Sequence, residues 1–119
     1  MAQMTKYQRA AQFWSLLVLA ARTQQLLSYK SVEKMTGIPQ QGQAGYLGLI
    51  QRYCERQDIP RLNVLVINEK GLPGLGFHGN FEDQVEIFRQ QASVFVFDWF
   101  KIDPPTPEQF EDTEAPSLK

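Results

Sequence analysis

The sequence holds one cysteine, Cys54, and one histidine, His78. A single thiol excludes an internal disulfide and any zinc site built from several thiolates, and a single imidazole excludes a two-histidine metal site. No apolar run approaches the ~20 residues that a membrane-spanning helix needs. Neither charge sign is in surplus: twelve Lys and Arg face thirteen Asp and Glu, for a net charge of -1. No global basic excess therefore points to a polyanionic partner. The 119 residues are 43% hydrophobic and 21% charged, which suffices for one ordinary core and excludes a disordered or collagen-like chain. The expectation is one globular domain over residues 1–102, followed by an acidic, proline-containing tail over 103–119 that is partly disordered. A lone thiol fits a reducing compartment, so the expected location is cytoplasmic.

Near the start, Phe13-Trp14-Ser15-Leu16-Leu17-Val18-Leu19-Ala20-Ala21 follows Lys6 and Arg9, an order that a signal peptide also shows. Periodicity favours a buried helix over residues 5–25 instead. Tyr7, Ala10, Trp14, Leu17, Val18 and Ala21 fall on one face, with Gln8, Gln12, Ser15 and Arg22 between them. Thr5 is the expected N-cap. A second helix is expected after Ser28, with Tyr29, Val32 and Met35 on one face and Gly37 as its left-handed stop. Ile38-Pro39 blocks continuation.

A third helix is expected over 41–56, with Leu47, Ile50 and Cys54 in one stripe and Tyr46, Leu49 and Tyr53 in the next. Gly42, Gly45 and Gly48 stand in its first half, at a cost of ~1 kcal/mol each relative to alanine. Two readings of these glycines stand side by side: tight packing of another helix, or a helix lying flush on a phosphate backbone. Val64-Leu65-Val66-Ile67 reads as a strand covered on both faces. Residues 72–77 read as a glycine-rich loop or wing. Asn80 is expected to open a helix carrying Phe81, Val85, Phe88 and Ala92, which ends near Ala92 before an extended closing segment. Thr106-Pro107-Glu108-Gln109 predicts one short helical turn.

Charge is unevenly spread. Residues 1–80 carry nine Lys or Arg against four Asp or Glu, an excess of +5. Residues 81–119 carry three against nine, an excess of −6. Such asymmetry fits a nucleic-acid face balanced by an acidic segment, and equally an ordinary solvated surface with an acidic tail.

Catalytic signals are sparse. Cys54 lies on the apolar side of a predicted helix, where a free cysteine is a small buried hydrophobe rather than a nucleophile partnered by His78. Gly71-Leu72-Pro73-Gly74-Leu75-Gly76 lacks the Gly-Lys-Ser/Thr of a phosphate-binding loop and the turn of a dinucleotide fingerprint. Glu82, Asp83 and Glu86 read as acids at a helix N-terminus rather than as a metal site. No paired acid, base or nucleophile emerges, so no enzyme activity, metal or cofactor is expected.

The run from Leu27 to Pro39, Leu-Ser-Tyr-Lys-Ser-Val-Glu-Lys-Met-Thr-Gly-Ile-Pro, resembles the helix-turn-helix entry of the C-terminal domain of O6-alkylguanine-DNA alkyltransferases and alkyltransferase-like proteins. Gln41-Gly42-Gln43-Ala44-Gly45-Tyr46-Leu47-Gly48 stands where that family's recognition helix begins, and Val66-Ile67-Asn68-Glu69-Lys70-Gly71 is similar to the strand and turn after its active site. The likeness covers about 50 residues of the 119. It implies a winged helix-turn-helix that enters the minor groove and flips a nucleotide. The family's Pro-Cys-His-Arg would fall on Leu62-Asn63-Val64-Leu65, which lacks nucleophile, histidine and arginine, so alkyl transfer is not implied. The arginine that props open the base stack would fall near Gln43.

The combined expectation is a helix-rich α+β, winged-helix-like domain with a short sheet or hairpin wing, binding DNA without catalysis. The expected contacts are Tyr29, Lys30, Lys34, Gln40, Gln41, Gln43 and Lys70. Glutamine suits an adenine edge, lysine a phosphate, and an aromatic ring a base face. The alternative is a protein-interaction module whose surface is Phe95, Phe97, Trp99 and Phe100.

Overall fold

The computed structural model describes residues 3–74, 76–79 and 83–114. Helix α1 spans Lys6–Arg22, and Thr5 caps it through a full capping box. The Gln8 amide donates to Thr5 Oγ1 at 3.1 Å, and the Thr5 amide donates to Gln8 Oε1 at 2.8 Å. The segment that imitated a signal peptide is the central wall of the core, burying Ala10, Phe13, Trp14, Leu17, Ala20 and Ala21. No helix among the described residues is long and apolar enough to cross a membrane.

Strand β1, Leu27–Ser28, runs straight into α2, Tyr29–Thr36. Ser28 caps α2 by accepting from the Ser31 amide at 3.0 Å, and Gly37 stops it at φ 76°. Helix α3 spans Gln40–Arg56, with Leu47, Ile50 and Cys54 fully buried beside Leu49 and Tyr53. Strand β2 is Val66–Ile67. It pairs in parallel with β1, Leu27 opposite Val66 and Ser28 opposite Ile67. Helices α4, Gln84–Val96, and α5, Pro107–Glu114, complete a helix-rich α+β domain.

The parallel register positions the candidate site. β1 leads directly into Tyr29 and Lys30, and β2 leads directly into the Asn68–Gly71 turn. Pairing them side by side brings the start of α2 against that turn. In the turn the Gly71 amide donates to Asn68 O at 2.9 Å, with Gly71 at φ 78°. An isolated antiparallel bridge, Ile67 to Pro73, is all that forms of the expected hairpin wing among the described residues.

Two expectations are corrected. Only Val66 and Ile67 of the predicted strand are extended; Leu62–Leu65 forms a 3₁₀ turn. All four residues of that turn are buried, so apolarity alone did not distinguish it from a strand. Helix α4 continues to Val96 rather than ending near Ala92. Its buried face is Ile87, Gln91 and Val94, while Val85 is 65% and Phe88 58% exposed. Asp83 is its cap, accepting from the Glu86 amide at 3.1 Å; the expected opening at Asn80 and Phe81 lies outside the described residues.

The boundary at residue 102 does not separate core from tail. Helix α5 packs on α1 and α3, and Phe110 is completely buried. Trp14 meets Tyr53, Trp99 and Phe110 at centroid distances of 5.6, 5.7 and 6.3 Å. Such edge-on contacts contribute ~0.5–1.5 kcal/mol each beyond the area they bury. The cap expected at Thr106 forms, with its oxygen accepting from the Gln109 amide at 3.2 Å, but the helix extends well beyond one turn. The expectation of disorder beyond Glu114 falls outside the described residues.

Candidate nucleic-acid interface

Five of the seven residues expected to contact DNA share one surface. A pocket of about 420 Å³ is lined by Tyr29, Lys30, Gln40, Asn68, Glu69 and Lys70. A second, of about 310 Å³, shares Tyr29, Gln40 and Asn68 and adds Gln41, Ala44 and Gly74. Lys34 is exposed in the last turn of α2 and lines neither.

Tyr29 is half-buried and forms one wall. Its hydroxyl accepts from the Gly76 amide at 3.0 Å, and its ring lies against Gly74, where an added Cβ would sit 2.9 Å from Tyr29 Cε2. Burial raises the phenol above its ordinary pKa, while the Gly76 and Gly74 amides oppose the shift. The glycine-rich loop is thus clamped onto α2 and α3; at Gly76 a Cβ would come within 2.6 Å of Leu47 Cδ1.

Gln43 is the exception. It is fully buried, and its Nε2 donates to Tyr29 O at 3.0 Å and Ile38 O at 3.1 Å. The expected base-reading role is therefore corrected. Two carbonyls facing one amide nitrogen fix the side chain's orientation, and it ties the start of α2 to the linker before α3. Its Oε1 is buried and has no hydrogen-bond partner among the described residues.

The cations at this surface are uncommitted. Among the described residues no carboxylate lies within ion-pair distance of Lys30, Lys34 or Lys70. Elsewhere Arg61 pairs with Glu55 at 2.9 Å and Arg89 with Glu86 at 2.8 Å. Glu69 is the one carboxylate among the residues lining the first pocket. The start of α3 is also open: Pro39 offers no capping side chain, and its first turn holds no acid. Such an end favours an anion.

No family model, curated protein or solved structure matches this chain. The site must therefore be read from its own geometry.

That geometry adds residues the sequence reading missed. A third pocket, of about 380 Å³, is lined by Lys6, Ala44, Gly45, Gly48, Gln51, Arg52, Glu55 and His78. It meets the second pocket at Ala44. Gln40, Gln41, Ala44, Gly45, Gly48 and Arg52 thus share one arc of α3, at a spacing visible in the sequence as i, i+4, i+8, i+12. A Cβ at Gly45 would meet nothing within 4 Å, whereas one at Gly48 would lie 3.5 Å from His78 Nε2. Tight helix packing therefore does not explain Gly45. A buried network anchors the His78 segment: Gln51 Nε2 donates to His78 O at 2.7 Å, the His78 amide to Gln51 Oε1 at 2.8 Å, and Asn63 Nδ2 to Gly76 O at 2.6 Å.

Cys54 is fully buried, and burial pushes its thiol up to about 12. Of the aromatic surface expected for a protein partner, Trp99 is buried and its Nε1 donates to Val94 O at 2.8 Å, which removes it from that surface. Phe97 packs on it at 4.5 Å. Phe95 is half-buried, and Phe100 is 71% exposed with the Arg22 guanidinium 4.7 Å over its ring.

Proposed function

We propose that this chain is a non-catalytic DNA-binding domain of winged-helix-like organisation. The starts of α2 and α3 and the Asn68–Gly71 turn form its docking platform. The observation that carries the reading is the pairing of Lys30 and Lys70, neither of which has an ion-pair partner among the described residues, around the pocket at the uncapped start of α3. Two free cations beside an open helix start suit backbone phosphates. Gln40 and Gln41 are exposed at the same end, where their amides can reach base edges. Gly45, exposed on α3 with open space where a Cβ would stand, allows close approach of a sugar-phosphate backbone. The helix–Gly37–helix order that resembles the alkyltransferase entry supports the same reading, with the Asn68–Gly71 turn in the place of a wing.

The test is a fluorescence-anisotropy titration of a labelled duplex at several salt concentrations. Binding is expected to weaken with salt, and Lys30→Glu or Lys70→Glu is expected to weaken it further. Each lost phosphate contact lowers the log–log salt slope by about 0.9. Absence of binding to duplex at low salt by both the wild-type chain and Glu114→Gln, or wild-type affinity in both lysine variants, would refute the reading.

A second reading, a protein-interaction module, is favoured by the outward side of α4 and by Phe100. Val85, Phe88, Val96 and Phe100 are each more than half exposed, at 65, 58, 81 and 71%. Hydrogen exchange separates the two. Duplex DNA is expected to protect α2, α3 and the Asn68–Gly71 turn; no protection by duplex at low salt would favour the second reading.

A further inference from the structure

The basic platform does not end at the start of α3. From Gln40 to Arg52 the same face runs ~18 Å at 1.5 Å per residue. A DNA strand following this face places several phosphates along it. At the far end stand Lys6, from the first turn of α1, and Arg52, which line the third pocket together with the glycine stretch of α3. A carboxylate already occupies these two cations. Glu114, the last residue of α5, bonds Lys6 Nζ, lies 3.6 Å from Arg52 Nη2 and accepts from the Tyr7 hydroxyl at 2.8 Å. Lys6 and Arg52 remain 41% and 52% exposed, so the pair faces solvent around the carboxylate. Glu55, also at this pocket, is held by Arg61 and accepts from Gln51, and His78 covers Gly48.

We propose that Lys6 and Arg52 form a second phosphate site on the DNA platform, which the Glu114 carboxylate occupies in the free protein and must yield to a bound strand. The acidic C-terminal helix is then an internal competitor for the polyanion. This inference rests on the DNA-binding reading above. It explains why two cations on the docking side of α3 are neutralised while Lys30 and Lys70 are free. It also assigns a role to the charge asymmetry of the sequence: one acid from the negative end covers part of the positive face. The lowered pKa of Glu114, set first by the hydrogen bond from Lys6 and then by that from Tyr7, agrees with a carboxylate held ionised on this site.

The test is the same duplex titration with Glu114→Gln, with Lys6→Gln/Arg52→Gln, and with all three changes together. Glu114→Gln is expected to tighten binding several-fold at low salt and to steepen the log–log salt slope. The triple variant is expected to lose that gain. If Glu114→Gln unfolds α5 at the titration temperature, seen as lost hydrogen-exchange protection there, Lys6→Gln/Arg52→Gln carries the test alone, since it lowers the slope by about 2 when both cations meet phosphates. Wild-type affinity and slope in Glu114→Gln, with Lys30→Glu still weakening binding, would overturn the second site and leave the platform standing. A duplex that binds only after Glu114→Gln would support both. Absence of binding in every variant at low salt would overturn both.

Discussion

The Tyr29 hydroxyl accepts the Gly76 amide across 47 residues of sequence, at 3.0 Å. One hydrogen bond thus joins the first residue of α2 to the loop that follows β2. Its consequence is rigidity: the ring forms a wall of the pocket instead of swinging free to stack on a base. Gly74 and Gly76 follow from the same contact, because a Cβ at either would enter the space of Tyr29 or Leu47.

Tyr29→Phe removes the acceptor and leaves the Gly76 amide, a buried backbone donor, without it. An unsatisfied buried group costs ~1–3 kcal/mol. The urea midpoint is expected to fall with an unchanged m-value, because neither state alters its exposed surface. An unchanged midpoint would show that water replaces the hydroxyl and that the loop is not clamped.

Gln43→Ala tests the clamp between α2 and the linker. It withdraws a donor shared by two carbonyls and opens space in the core, for a loss of ~1–3 kcal/mol. Removing the unpartnered Oε1 offsets part of that loss. Measured well below the melting temperature, the salt slope of DNA binding is expected to be unchanged, since Gln43 touches no solvent. A changed base preference without loss of stability would return Gln43 to the groove.

Helix boundaries were legible where a side chain or glycine marks them. Thr5, Ser28 and Thr106 all cap, and Gly37 stops α2 in the left-handed region. The ends of α1 and α3 carry no such mark: Gln24 and Asp58 take positive φ values of 54° and 55° without being glycine. Along α4, Val85, Phe88 and Ala92 have helical spacing, yet the core accepts Ile87, Gln91 and Val94. Apolar spacing reports a face, not which way it points. Of the candidate site, the lysines and exposed glutamines were legible as residue types. Gln43 is separable from Gln41 by spacing, since it stands four residues before Leu47 and seven before Ile50 on the apolar stripe; its polar side chain hid that placement. Lys6 and Arg52 were missed because 46 residues separate them in the chain.

Glu114 gives a pH signature independent of DNA. Its folded pKa lies below the ordinary glutamate value of 4.5, chiefly through the Lys6 hydrogen bond. A depressed carboxylate contributes stability above its unfolded pKa and loses it as pH falls through the folded one. The melting temperature of the wild-type chain is therefore expected to exceed that of Glu114→Gln near neutrality, and the gap to close as pH drops below about 4.5. A gap independent of pH would mean that the carboxylate charge does nothing there.

Cys54 offers a probe of global opening. Buried and with its thiol pushed up to about 12, it is expected to react with a thiol reagent only as fast as the core opens. Labelling should be slow in native buffer and follow the unfolded fraction in urea. Rapid labelling without denaturant would show a local opening around the second half of α3.

Gly45 separates stability from binding most cleanly. It lies within α3, is exposed, and has empty space where a Cβ would stand. Gly45→Ala therefore meets no clash and gains helix propensity, for up to ~1 kcal/mol of added stability. If α3 lies flush on a DNA backbone, the same methyl group stands in the contact and holds the strand away. The expected outcome is opposite signs: a higher urea midpoint and a several-fold weaker affinity for duplex. A surface residue with no role in binding would give the first change without the second. A residue needed for helix packing would lower the midpoint instead, which the open space beside Gly45 argues against.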